Sequence, residues 1–344
     1  MKGKLVLTIV LGTELKAPEY SFHTRIRRVV TRLLAVVLWV WSCGALCHVV
    51  GIAWHVTGIL FVFVPWAWTR GGKLRKSAAL CALLVMPLAF FSYAFTKPRA
   101  DRQWQMHCAR DPEVRVLDGG ERVEINNVRQ FRWEKDGEFE PSWKPESYNI
   151  KELNKLDLVV EPLSGSEYFA HTMLSFAFSA GRRVVISIEV RKEKGESYGI
   201  IPGFYRQFEL FYQINSERDA FTLRAIQPDS SLYVFPVKAS AEFIQRLFLE
   251  MVREAGRLHD RPGFYHSLRA NCTTKLFDHV NMEIDAPMGY RREVLLPAKA
   301  GKFLHEMGWM DTSLAYPEAR QRFRLADKVR KFADDPDFSI KIRQ

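Results

Sequence analysis

Two kinds of hydrophobic pattern divide the chain. From Leu33 to Trp68 no charged residue occurs over 36 positions, and Ser77 to Phe95 gives a second uncharged run of 19. As helix the first run measures about 54 Å, and a bilayer core of about 30 Å takes roughly 20 residues. That run is too long for one crossing and just long enough for two, with a break near Cys47–Gly51 forming a tight hairpin. The pattern predicts about three spans, 33–49, 52–68 and 77–95, with Trp66 and Trp68 beside Arg70 as interfacial anchors. Leu5–Gly12 is apolar but too short to span, and reads as a weak strand.

From about Val114 the pattern changes to short alternating segments. Asp157–Val160, Thr172–Phe178, Val184–Val190, Gln207–Tyr212, Thr222–Ile226 and Leu232–Pro236 read as strands. The turn residues from Ser179 to Arg182 join the second and third of these into a hairpin. Ser240–His259 carries apolar residues at helical spacing, Thr273–Val280 continues as a helix after Asn271-Cys272, and Pro317–Ala333 reads as an amphipathic surface helix. Strands first and helices after make the fold class α+β.

Charge changes the picture in one respect. The net charge is +11, but residues 1–96 hold 11 Lys+Arg against 2 Asp+Glu, whereas the remainder holds 39 against 37. The basic excess flanks the apolar runs, where it sets topology, and does not form the basic face of a nucleic-acid module. Arg25, Arg27, Arg28 and Arg32 precede the first span, and Arg70, Lys73, Arg75 and Lys76 separate the second from the third. Both clusters are expected on the cytoplasmic side, so three crossings place everything after Lys97 outside. The expected division is a basic cytoplasmic segment 1–32, a transmembrane region 33–96, a linker 97–119 and an extracytoplasmic domain 120–344. An uncleaved signal anchor followed by an interfacial helix is the alternative.

Of five cysteines, Cys43, Cys47 and Cys81 lie in the apolar runs, leaving Cys108 and Cys272 in the soluble part. These two are placed to pair as a disulfide in an oxidising compartment, or to leave a reactive thiol. There is no CxxC pair, and the spacing of His266 and His279 about Cys272 matches no zinc pattern, so neither a metal nor a cofactor is expected. Asn271 is a favoured N-cap, which puts Cys272 in a first helical turn, where free amides and the dipole favour thiolate and can hold an oxyanion. The plain alternative is a buried structural cysteine. His171, at the start of a strand, is a candidate proton acceptor if it reaches the thiol, and otherwise a satisfied polar residue. Glu189 on the partner strand faces His171 if the hairpin loop has three residues; a loop of two or four turns it to the other face. Ser187 is the alternative orienting residue, and Glu189 has competing ion-pair partners in Arg191 and Arg224.

The runs AHTMLSFAFSAGRRVVISIEVRKEKGESY at 170–198, FELFY at 208–212, YVFPV at 233–237 and FYHSLRANCTTKLF at 264–277 stand with LLPAKAGKFLHEMGWMDT at 295–312 and DDPDFSIKIR at 334–343. Together with Arg224, this set resembles the Lnb N-terminal periplasmic domain family over about residues 120–344. The family is named for a lipoprotein-modifying enzyme that moves an acyl chain to the amino group of the lipidated cysteine. The order of histidine first and cysteine later also resembles circularly permuted papain-like thiol enzymes, an antiparallel sheet packed on helices. The resemblance implies Cys272 as nucleophile, His171 as base and Asn271 shaping the turn, with Arg224 in support. In the namesake the membrane spans follow the domain, whereas here they precede it. The function expected is a membrane-anchored periplasmic thiol enzyme of the cytoplasmic membrane, transferring or hydrolysing an acyl group of a lipid or lipoprotein. The rivals are a cell-wall peptidase or amidase with the same pair, and a non-catalytic binding domain. Oligomeric state is not legible.

Overall fold

A computed structural model describes residues 18–284, 287–289 and 296–344, so Leu5–Gly12 lies outside the described residues. The chain forms two compact units, Met1–Phe95 and Thr96–Gln344.

The first unit contains three helices, α1 (Pro18–His48), α2 (Trp54–Arg70) and α3 (Gly72–Phe95). The chain leaves α1 after His48 and turns through Gly51, whose φ of 75° is free of cost only for glycine. Trp39, Cys43, Val64, Ala67 and Ala78 are buried between the helices, and the small Ala67, Ala78 and Ala89 permit close backbone approach. Leu33, Leu34, Val37, Val62 and Leu83 are exposed, the inverse of a water-soluble bundle. Arg25–His48 and Gly72–Phe95 are each long and apolar enough to cross a membrane. At 17 residues, α2 sits at the short end of spanning length. Arg70 stacks on Trp66 and Arg75 on Trp68, 5.3 and 4.9 Å from the ring centres, as befits an aromatic–basic boundary.

The second unit is an eight-stranded sheet between two layers of helix. In chain order its strands are β1 (Glu113–Leu117), β2 (Arg122–Arg129), the small hairpin β3 (Arg132–Trp133) and β4 (Phe139–Glu140), β5 (Trp143–Asn149), β6 (Leu153–Pro162), β7 (Ala170–Phe178), β8 (Arg183–Arg191), β9 (Glu209–Ser216) and β10 (Tyr233–Val237). The sheet runs β1-β2-β9-β8-β7-β6-β10, with β5 also on β2, and β3–β4 stand apart. Every junction in it is antiparallel except the single contact of β2 with β9. The helices are α4 (Glu217–Ala225), α5 (Ala241–Asp260), α6 (Cys272–Glu283), α7 (Ala300–Glu306), α8 (Tyr316–Arg322), α9 (Ala326–Lys331) and α10 (Phe338–Lys341).

Strand alternation sends Leu174, Phe176 and Phe178 to one face, beneath α5. There Ile244, Leu247, Phe248, Met251, Val252, Ala255 and Leu258 recur every three or four residues, and each large side chain contributes about 1.5–3 kcal/mol by leaving water. Met173 and Val185 point the other way, against Phe221 of α4, Val329 of α9 and Phe338 of α10. On that face Arg343 bonds to both Asp157 and Glu217, tying the last helix to the sheet.

Three expectations are corrected. Thr222–Ile226 is not a strand: it falls in α4, where the Ser216 hydroxyl accepts the Asp219 N–H at 3.3 Å and Thr222 donates back to the Arg218 carbonyl at 2.7 Å. Pro317–Ala333 is not one helix but α8 and α9. Between them, the Phe323 carbonyl accepts from the Val234 amide and the Leu325 amide donates to Leu232, so the backbone serves the sheet edge instead. The stretch 97–119 is no free linker. Arg102 pairs with Glu193 and Glu209 at 2.6 and 2.8 Å, Trp104 and Cys108 pack on Phe211, and β1 borders the sheet.

Candidate active site

The site forms where α6 begins beside the start of β7. Asn271 has extended backbone, and its Oδ1 accepts the amides of Thr273 and Thr274 at 3.0 and 2.9 Å. The Thr274 hydroxyl accepts the Asn271 amide at 2.9 Å, closing a capping box. Cys272 is thereby held at the first helical position, at the positive end of the helix dipole. The cap also occupies two amides, so the Thr273 and Thr274 N–H groups do not serve an oxyanion. The amide of Cys272 is the first-turn donor that remains.

The hairpin loop is Ser179–Gly181, three residues, and the register pairs Ala177 with Arg183 and Met173 with Ser187. Continuing that register places Glu189 opposite His171. His171 Nε2 lies 2.6 Å from the Ser187 hydroxyl and 3.0 Å from Glu189 Oε1, and the same hydroxyl donates to Oε1 at 2.6 Å. Arg224, from α4, donates Nη2 to Oε1 at 2.9 Å. Its Nε lies 2.9 Å from Glu161 Oε2, close enough for an ion pair although its N–H is not aligned for a hydrogen bond. Glu161 stands opposite His171 across the β6–β7 junction. His171 and Cys272 line the same cavity and act on each other electrostatically, so residues 101 positions apart in the chain meet.

Electrostatics follow from this packing. Burial alone would raise the Cys272 thiol, but His171, the Thr172 backbone and the Thr273 hydroxyl outweigh it and bring the thiol down from 9.0 to about 7. Burial would likewise lower His171, yet Glu189 and the Cys272 thiolate raise it from 6.5 to about 10. Glu189 is pushed up by burial and held well below the carboxylate range by His171, Arg224 and the Ser187 hydroxyl. Glu161 is raised by burial despite Arg224. At neutral pH these directions favour thiolate beside imidazolium, the ground state of a thiol nucleophile with its acid in place.

The side chains of His171 and Glu189 are 13% and 25% exposed, so the pair is not sealed in the core. It opens on a cavity of 480 Å³, whose lining includes Cys272, Glu161, Lys192, Tyr198 and Tyr265. Cys108 lines the same cavity, and both it and Cys272 are free thiols, so the possible disulfide between them is not formed. His279 does not join the site: it is buried with Nε2 2.6 Å from the Tyr212 hydroxyl. His266 Nδ1 accepts the Leu268 amide. Arg191 turns to Asp111 at 2.7 Å, not to Glu189.

The family model of the Lnb N-terminal periplasmic domain matches residues 139–300, a span that contains every residue of this cluster. The chain carries an Lnb N-terminal periplasmic domain. No curated protein and no solved structure matches it. With two helices in the first unit apolar and long enough to span, this is a membrane protein with a periplasmic domain. Two features of the site escape sequence reasoning. Ser187 contacts both His171 and Glu189, which the shared strand face of 187 and 189 (i and i+2) could have signalled. Glu161 is hidden because the long connection 163–169 between β6 and β7 leaves their register open in the sequence.

Proposed function

We propose that this protein is a membrane-anchored thiol enzyme that transfers or hydrolyses an acyl group at the outer face of the cytoplasmic membrane. In this reading, residues 1–32 are cytoplasmic, three spans cover 33–49, 52–68 and 77–95, and the domain lies outside. The Cys272 thiolate attacks the acyl carbonyl, forming a C–S bond. The C–O or C–N bond then breaks, and imidazolium His171 gives its proton to the departing alcohol or amine. An amine or water next attacks the thioester, surrenders a proton to His171 and restores the thiolate. Glu189, braced by Ser187 and Arg224, orients the ring and offsets its charge.

One observation carries the proposal: a thiol at a capped helix N-terminus, coupled to a histidine that lies 3.0 Å from a half-buried, arginine-paired carboxylate. The full chain in nanodiscs, incubated with a palmitoyl-lipid probe, is expected to form a hydroxylamine-sensitive adduct that Cys272→Ala abolishes. Undiminished labelling of that variant would falsify the assignment. The charged cleft lining, Lys192 and Glu161 among it, favours a second reading as a cell-wall amidase. Side-by-side digestion of peptidoglycan and lipoprotein separates the two.

A further inference from the structure

A second, apolar cavity lies on the other side of the reactive pair. It measures 380 Å³ and runs along α6, touching Thr273, Leu276, Phe277, Val280 and finally Ile284 just past its end. That spacing is one helix face, about 15 Å long. The opposite walls come from Leu174 of the sheet, Phe243 of α5, Leu304 of α7 and the following Trp309.

Its near end coincides with the site. Thr172 and Thr273, the chain neighbours of His171 and Cys272, both line it and hydrogen-bond to each other at 3.3 Å. Cys272 itself packs against the apolar cluster to which Leu174, Leu276 and Leu304 belong. The thiol therefore stands between a charged cleft and a hydrocarbon-like trough.

Water in a trough lined almost wholly by apolar side chains finds few hydrogen-bond partners, so a guest that covers this lining with hydrocarbon gains the burial of that surface. A peptide is a poor guest. Among the described residues of the lining, Lys238, Ser240 and the Trp309 indole are the only polar side chains apart from the threonine pair, so most of its amides would be buried without partners. A saturated chain needs none. The volume falls within the range of small-molecule sites, and an elongated shape favours a long chain over a short one.

Building on the thiol-enzyme reading above, we infer that this trough holds the hydrocarbon of the acyl group that Cys272 carries. The substrate is then a long-chain acyl donor whose polar head occupies the cleft beside Lys192 and Glu161. The trough sets chain length, and the cleft sets the head.

The test uses the full chain in nanodiscs and two variants that fill the trough, Val280→Trp and Ala239→Trp. With acetyl and palmitoyl nitrophenyl esters, the wild type should acylate faster with palmitoyl. Each variant should lower the palmitoyl-to-acetyl ratio by roughly tenfold or more, while iodoacetamide still alkylates Cys272 at the wild-type rate, which shows the site intact. An unchanged ratio, or no palmitoyl preference in the wild type, overturns the inference. A second arm needs no catalysis. Cys272→Ser protein irradiated with a diazirine-bearing palmitate should crosslink at Phe277 and Trp309, and Val280→Trp should lose those crosslinks. Crosslinks confined to α1–α3 overturn the trough even if Cys272 proves reactive. Trough crosslinks without any acylation of Cys272 leave the trough standing and overturn the thiol-enzyme reading alone.

Discussion

Glu189 Oε1 accepts from the Ser187 hydroxyl and the Arg224 guanidinium at 2.6 and 2.9 Å, and lies 3.0 Å from His171 Nε2. A carboxylate so engaged stays ionised and keeps the imidazole protonated, which in turn lowers the thiol. The pH consequences have definite signs. Cys272, brought down to about 7, should be alkylated faster as pH rises through that value. Turnover should fall again as His171 loses its proton near pH 10, because the leaving group then lacks its acid. As a raised group, His171 adds stability that is full below its ordinary 6.5 and disappears through about 10. His171→Ala should move the alkylation midpoint up toward the ordinary thiol value of 9.0, since burial is then opposed only by the Thr172 backbone and the Thr273 hydroxyl. Glu189→Gln should shift it the same way and slow turnover by about 10²–10⁴-fold. A midpoint unmoved in both variants would show that the thiol is tuned by the helix alone.

At the scale of elements, the junction of α6 with β7 decides the site, and the Asn271 cap holds it. Asn271 accepts two amides and donates Nδ2 to the Ser267 carbonyl at 2.8 Å. Asn271→Ala should cost about 1–2 kcal/mol in chemical denaturation and raise the alkylation midpoint of Cys272 as the first turn loosens. Asn271→Asp keeps the acceptor for the two amides but sets a carboxylate oxygen against the Ser267 carbonyl, so it should recover only part of the stability. Part of this was readable from the chain: an Asn-Cys pair before an apolar run marks the cap, and Ser179-Ala-Gly marks a short loop, whereas its length, and hence the facing of Glu189, rests on the strand register. What could not be read depended on distant pairing. The bulge at Asn127, with φ 64°, breaks the alternation that would otherwise disclose β2. Arg102 and Trp104 look like linker residues until Glu209 and Phe211 supply their partners. Thr222 has strand propensity that the Ser216 cap overrides.

For the whole molecule, the question is which side of the membrane each unit occupies. With the basic clusters at 25–32 and 70–76 both cytoplasmic, protease added to spheroplasts should remove the domain and spare an epitope tag placed between α2 and α3. Protection of the domain instead would mean an even number of crossings. The site has its own history in such a journey. The thiol owes its low pKa to a histidine from the other half of the domain, so before β7 and α6 meet Cys272 has no more appetite for oxidants or electrophiles than any ordinary cysteine. A chain emerging unfolded into an oxidising compartment thus carries its most reactive atom disarmed, and arms it only on completing the fold.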